Sequence, residues 1–406
     1  MSSCAVCRGS FEPFLSFGRM PIANGFLDRA QFAAEHYFEL AIGFCARCGM
    51  VQLAGQVERE RMFHDKYAFF SSTSAAMAGH FRRFAEEVRA ARLAADDSFV
   101  VEIGSNDGIL LRYFAHAGIR HLGVEPSANV AQVARGRGVQ TLIEFFDEEL
   151  ARGIVAEHGQ ADVLLGANVM CHLPYLQSVV AGVRHLLKPR GVLVFEDPYL
   201  GDMIEKTSYD QIYDEHAFYF SVTALERLFG GHGMEIVELA PQEVHGGSMR
   251  YTVAHRGVHA RSAAVDRQLA RERELGLAEP ATFERFRRKV EASRDELARL
   301  LRRLKAEGRR VAGYGATSKS TTVTNFCGIT PELVEFICDT TPGKQGRFSP
   351  GMHIPVLPHA EFAQRPPDYA LLFAWNHADE IMAKERGFTA GGGKWIRYVP
   401  SVGVSG

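Results

Sequence analysis

The chain has 406 residues, enough for two or three domains that each bury a core. Its 46 Lys and Arg against 48 Asp and Glu leave a formal charge of -2, so no global basic field draws it to nucleic acid or to an anionic membrane. No apolar run approaches the roughly 20 residues of a membrane-spanning helix and no basic-then-apolar leader opens the chain, so the expected location is cytoplasmic.

Residues 1–66 carry Cys4-x-x-Cys7, a long insertion, and then Cys45-x-x-Cys48-Gly49. Two such knuckles are the ligand arrangement of a structural tetrathiolate zinc site, because each short loop lets two thiolates reach one tetrahedral ion. A redox disulfide pair is the alternative. Five basic residues balance five acidic ones over residues 1–59, which points to a metal-stapled lid or docking domain rather than a nucleic-acid binder. The remaining three of the seven cysteines, Cys171, Cys327 and Cys338, lie in apolar segments where buried thiols are common.

From residue 67 to 259, apolar runs alternate with helical periodicity, the pattern of a parallel sheet with helices on both faces. Strands are expected at 99–103, 121–124, 162–165 and 192–195, with an antiparallel pair at 234–239 and 249–254. A helix over 72–94 precedes them. In such a fold it lies over a cofactor, so Tyr67 and the run 71–74, Ser72 included, are candidate contacts, with a plain helix cap as the other reading.

The first strand runs into Glu102-Ile103-Gly104-Ser105-Asn106-Asp107-Gly108, and the second closes on Glu125. A dinucleotide turn uses three glycines to cradle a pyrophosphate, whereas an acid at Glu102 would repel phosphate and welcome a cationic amino acid or a sulfonium. That selects S-adenosylmethionine (SAM), with Glu125 accepting hydrogen bonds from two ribose hydroxyls. The segment resembles the cofactor motif of class I methyltransferases. It departs from the glycine-rich form at Asn106, a residue type that tolerates positive φ.

Substrate in an open α/β sheet sits beyond the carboxyl ends of the strands. Two clusters fall there. One is Gly166-Ala167-Asn168-Val169-Met170-Cys171-His172, with Asn168 a cofactor candidate. The other is Glu196-Asp197-Pro198 followed by the run from Tyr209 to Ser221, which contains Tyr213, Glu215 and His216. A buried polar network without function is the plainer account of the second. The functional account is that transfer to carbon needs a base to take a proton beside a carbonyl while a donor steadies the enolate oxygen. His216 with Tyr213 supplies such a pair, Glu215 can orient the imidazole or bind a hydroxyl, and His172 can assist from the opposite wall.

Residues 260–308 read as charged helix, with Val290, Leu297, Leu300, Leu301 and Leu304 on one buried face. A second strand-turn-helix follows, Gly313-Tyr314-Gly315-Ala316-Thr317-Ser318-Lys319, in which two glycines, the helix amides, Thr317, Ser318 and Lys319 can hold a diphosphate. Asp339, closing an apolar run over 333–338, repeats the ribose-binding logic. Further strands are expected at 369–374 and 394–398. This smaller α/β unit over 260–406 is either a second nucleotide site or a bare scaffold.

The two cysteine knuckles, the Glu102 turn, Phe195-Glu196-Asp197-Pro198, Tyr213-Asp214-Glu215-His216, His245-Gly246-Gly247-Ser248 and the Gly313 turn together resemble the three-domain sugar C-methyltransferases of deoxysugar pathways. The resemblance covers nearly the whole chain. It implies an α/β protein: a class I (Rossmann-like) SAM methyltransferase domain flanked by a small N-terminal zinc-binding domain and a second, smaller C-terminal Rossmann-like domain. It further implies methylation at C-3 of a nucleotide-linked 4-keto-6-deoxysugar, on a thymidine or guanosine carrier, with His216 and Tyr213 as acid-base residues and Glu215 and His172 close by. Glu196, Tyr213, His245, Gly315, Thr317, Ser318, Lys319 and Asp339 are the expected substrate contacts. Two alternatives stay open on the residues alone, an O-methyltransferase using the same cofactor site and an inactive zinc-containing binding protein. No coiled-coil repeat is evident, and a monomer is expected.

Overall fold

The computed structural model describes residues 2–58, 62, 71, 75–93 and 97–405. Tyr67 and Ser72, two candidate cofactor contacts, lie outside the described residues. Three sheets carry the fold.

At the N-terminus, β1 (Ser2–Ser3), β2 (Ser10–Pro21), β3 (Tyr37–Phe44) and β4 (Val51–Leu53) pair antiparallel in sequence order. The cysteine pairs occupy the β1–β2 and β3–β4 turns, so the stretch between the knuckles is itself the sheet. Arg8 and Gly49 follow the second cysteine of each pair and take positive φ (59° and 77°), which bends each turn back toward its own thiols.

The central sheet contains β5 (Phe99–Ile103), β6 (Arg120–Val124), β7 (Thr141–Leu142), β8 (Ala161–Ala167) and β9 (Leu187–Pro198). After β10 (Phe218–Tyr219), which lies elsewhere, come β11 (Met234–Gln242) and β12 (Ser248–His255). Their order is β11-β12-β9-β8-β5-β6-β7, with the five strands from β9 to β7 parallel and the last two antiparallel. Every residue of β5 is buried, as expected for a parallel strand covered on both faces. All six strands expected here form, several of them longer; β7 and β10 are too short to leave a pattern. The expected helix is Ala75–Arg92.

Strand β10 leaves the central sheet and pairs with β4 of the N-terminal one (Phe218 with Gln52, Tyr219 with Val51). The segment bearing Tyr213 and His216 is thereby fastened to the cysteine-bearing module.

The charged stretch forms two helices, Ala263–Leu275 and Pro280–Ala306, the second opened by a proline that needs no amide partner there. Val290, Leu297, Leu300, Leu301 and Leu304 are all buried. The same helix sets Phe283 against Phe14 and Phe44, with ring centroids 5.0 and 4.5 Å away. Its apolar stripe thus joins β2 and β3 to the C-terminal sheet in one continuous core.

That sheet has β13 (Val311–Tyr314), β14 (Ile337–Asp339), β15 (Val356–Pro358), β16 (Tyr369–Leu372), β17 (Lys394–Arg397) and β18 (Gly403–Ser405), in the order β15-β14-β13-β16-β17-β18 and parallel except at β18. The strand expected over 333–338 shrinks to its last residues. Thr330 accepts the amides of Leu333 and Val334 in a turn, and Pro331 has no amide to give a ladder. None of the described helices is long and apolar enough to cross a membrane.

Candidate active site

Cys4, Cys7, Cys45 and Cys48 present four sulfurs within 4.8 Å of one another. The Cys4 and Cys48 sulfurs are 3.6 Å apart and those of Cys7 and Cys45 3.5 Å, close to the roughly 3.8 Å edge of a zinc tetrathiolate built on bonds of about 2.3 Å. The donor set therefore fits Zn²⁺. The hydrogen bond between Cys4 and Cys48 lowers the Cys4 thiol pKa and raises that of Cys48, and burial raises that of Cys45, so the fit to zinc rests on the sulfur geometry.

A cavity of about 320 Å³ opens at the carboxyl edge of the central sheet and draws lining residues from all three sheet systems. Of the cofactor candidates, Gly104, Asn106, Glu125 and Asn168 line it. Gly104 (φ 67°) is irreplaceable on geometry, since a Cβ there would lie 2.5 Å from Val169 Cγ2. Asn106 does adopt positive φ (47°), and its side-chain oxygen accepts the Ser71 amide at 3.1 Å. Glu125 accepts the amides of Asn106 (3.0 Å) and Ser127 (2.8 Å), one on each oxygen, which leaves lone pairs for two vicinal hydroxyls. Burial raises its pKa. With Phe81, Ile103, Val124 and Phe146 as apolar walls, this donor set fits SAM.

Three other cofactor candidates stand behind the wall. Glu102 is buried and takes the Leu111 amide, burial pushes its pKa well up, its Oε2 has no hydrogen-bond partner among the described residues, and it does not line the cavity. Asp107 pairs with Arg137 at 3.1 Å. Gly108 gives the turn room, a Cβ there reaching Val139 at 3.0 Å. The cationic-moiety argument made from Glu102 thus describes a residue outside the cavity lining.

His216, Tyr213, Glu215 and His172 all line the cavity. His216 Nδ1 donates to the Gln211 carbonyl (2.8 Å), which fixes the tautomer and leaves Nε2 to accept from the Tyr213 hydroxyl (2.8 Å). Burial, then the neighbouring His172, pushes the His216 pKa well below its usual value; burial likewise brings His172 to about 4. Both rings are neutral near pH 7, with centroids 5.1 Å apart. Glu215 accepts from Asn24 Nδ2 (2.8 Å), and Asp214 from the Ala23 amide (2.8 Å).

Of the substrate candidates, Tyr213, His245, Thr317, Ser318 and Lys319 line the same space. Burial lowers the Lys319 pKa while Asp210 opposes that shift, and its ammonium lies 4.8 Å from the Trp375 ring. Glu196, Gly315 and Asp339 do not line it. Glu196 pairs with His80 and Arg250, whereas Asp339 accepts the Ala316 and Thr341 amides (both 2.7 Å) and so shapes the glycine turn in which Gly315 takes a φ of 90°.

His245 meets Asn168 by hydrogen bond and sits at φ 56° beside Gly246, where a Cβ would fall 2.2 Å from the Trp375 ring. Gly246→Ala is expected to cost about 1–3 kcal/mol by overpacking alone, a loss that thermal unfolding should report as a lowered Tm.

Several lining residues escaped the sequence reading: Asn24, Phe145, Phe146, Lys344 and Asn376. Phe145 and Phe146 carried little signal, because the strand before them, β7, has only two residues. Asn24 carried none, because its place depends on how the N-terminal sheet docks.

A SAM motif at the carboxyl edge of a doubly wound sheet, joined to a tetrathiolate module, defines the chain as a zinc-containing, SAM-dependent methyltransferase. Family models agree along its length: "Putative zinc binding domain" at residues 4–63, "Methyltransferase domain" at 77–239 and "C-methyltransferase C-terminal domain" at 243–400. The chain is 35% identical over 403 residues to C-methyltransferase NovU of Streptomyces niveus, covering 98% of this chain and 96% of that protein. It belongs to this C-methyltransferase family and is a SAM-dependent C-methyltransferase. A ubiquinone biosynthesis O-methyltransferase of Pasteurella multocida is 30% identical over 109 residues, covering 24% of this chain and 44% of that one. A crystal structure of a SAM-dependent methyltransferase from Anabaena variabilis superposes with a TM-score of 0.35 at 15% identity, over 46% of this chain and 86% of that chain.

Proposed function

We propose that this enzyme methylates C-3 of a nucleotide-linked 4-keto-6-deoxysugar, carried on thymidine diphosphate or, as the second choice, guanosine diphosphate. One observation carries the reading: the hydrogen-bonded pair of Tyr213 and His216 opens into the same cavity as Gly104 and Glu125 on one side and Thr317, Ser318 and Lys319 on the other.

Bound SAM supplies an electrophilic methyl group. The chain's own groups must make a carbon nucleophilic. His216 keeps a proton on Nδ1 and offers Nε2, so the Tyr213 hydroxyl can pass its proton there while its oxygen takes the C-3 proton of the sugar. That proton is acidic only because the C-4 carbonyl accepts the charge, and His172, neutral and facing the same cavity, is the donor for the enolate oxygen. Glu215, steadied by Asn24, takes a sugar hydroxyl. Thr317, Ser318 and Lys319 at the N-terminus of the helix Ser318–Phe326 take the diphosphate. A 4-hydroxy sugar should be inert.

Carbon NMR of the product made from methyl-labelled SAM and a panel of nucleotide 4-keto-6-deoxysugars tests this reading. Label on a quaternary ring carbon is the expected result; label in the methoxy region, or no transfer with SAM bound, overturns it. Glu125→Ala should weaken SAM about 10- to 100-fold in calorimetry, the scale of hydrogen bonds to a charged acceptor. Unchanged affinity would remove Glu125 from the ribose site.

A further inference from the structure

We propose that Cys171, His172 and His216 form a second metal site, which takes a thiophilic divalent cation such as Zn²⁺ or Cd²⁺ and silences the enzyme by occupying its base. One potential ligand atom from each of the three lies within 4.8 Å of the other two, an arrangement shared among the described residues only with the four N-terminal cysteines. The three residues come from two elements far apart in the chain. Cys171 and His172 end the short turn Met170–His172, and His216 sits in the segment fastened to β4. Their convergence is therefore tertiary.

The donor types choose the ion. One sulfur and two imidazoles suit zinc and cadmium and disfavour magnesium or calcium, which require oxygen ligands. Tetrahedral bonds of about 2.0–2.3 Å demand ligand separations of roughly 3.3–3.8 Å, so the three side chains need to close by at most about 1.5 Å. His172 and His216 border the cavity, which leaves the fourth position open to it. Asp197 is buried beside the Cys171 thiol, and neither of its carboxylate oxygens has a hydrogen-bond partner among the described residues. Once metal binds, the thiol proton leaves to solvent through the cavity, and one thiolate with one neighbouring carboxylate balances the charge of a divalent ion. Coordination replaces the Tyr213 hydrogen bond at His216 Nε2 or strips the Gln211 bond at Nδ1, and either change removes the relay.

The test uses the full-length enzyme with its N-terminal cysteines saturated by zinc. It is exposed to excess Zn²⁺, desalted and analysed for metal, in parallel with Cys171→Ala and Cys171→Ser. The wild type should retain an additional zinc that both variants lack. A Cd²⁺ titration should likewise show a thiolate-to-metal ultraviolet band whose wild-type amplitude exceeds that of the variants. Turnover in the wild type should fall at least 100-fold as the second ion binds, within the range for loss of a positioned base. A wild type that holds only its N-terminal zinc overturns the site, as does a second ion that persists in the Cys171 variants. Metal stoichiometry and the band are independent of the sugar substrate, so failure here is separable from failure of the deoxysugar reading.

Discussion

Replacing His216 by alanine should lower turnover by about two to four orders of magnitude while leaving SAM affinity nearly unchanged, the range for loss of a positioned general acid or base. The side chain is buried, and its hydrogen-bond partners are Tyr213 and the Gln211 carbonyl rather than Glu125 or Asn106. Tyr213→Phe keeps the ring against His216 and removes only the hydroxyl, so a comparable loss in that variant identifies the relay rather than packing. The acid limb of the rate profile follows from the same burial. In the proposed relay the working form of His216 is neutral, and burial lowers its pKa well below the ordinary 6.5, so the neutral fraction stays high as pH falls through that value. Turnover should therefore persist below pH 6.5 and decline only in more acidic buffer. A limb centred at or above 6.5, or wild-type turnover in His216→Ala, would remove this histidine from the chemistry.

Stripping zinc should abolish turnover and leave the SAM half of the site competent. The cysteine-bearing module is small, and structural zinc sites contribute on the order of 10–16 kcal/mol to such folds, so the metal-free sheet should not persist. That sheet supports the reacting segment directly. Strand β10 pairs with β4, the Leu53 amide bonds the Ala217 carbonyl at 2.9 Å, and Ala23 and Asn24 bond Asp214 and Glu215. With the sheet unfolded, residues 213–219 lose these partners and His216 loses its register. Chelation should thus open the first 58 residues to protease and cut turnover at least 100-fold, with SAM still bound by calorimetry and activity restored on adding zinc. Full turnover in protein proven free of metal would sink the coupling.

Asp107 and Asp339 mark where sequence logic and geometry part. Each closes or follows a glycine turn as a ligand-binding acid would, yet neither lines the cavity: Asp107 pairs with Arg137, and Asp339 accepts two backbone amides. Residue type and spacing cannot tell a carboxylate that shapes a turn from one that faces a ligand, because both need the same place in the chain. Glu125 makes two backbone bonds as Asp339 does, one on each oxygen, and differs in lining the cavity.

Local chemistry was sufficient for the zinc knuckles, the central parallel strands, the apolar stripe of the long helix and the Glu102 and Gly313 turns, because each depends on residues a few positions apart. The active-site cavity was not local. Asn24, Glu215, Lys319 and Lys344 are separated by long stretches of chain, and they meet because the helix Pro280–Ala306 packs on β2 and β3 while β10 crosses to β4. The sequence alone therefore determined which chemistry each segment could perform. Only the packing of the three sheets, driven by burying one shared apolar stripe, decided that His216, the SAM turn and the C-terminal turn would face one cavity.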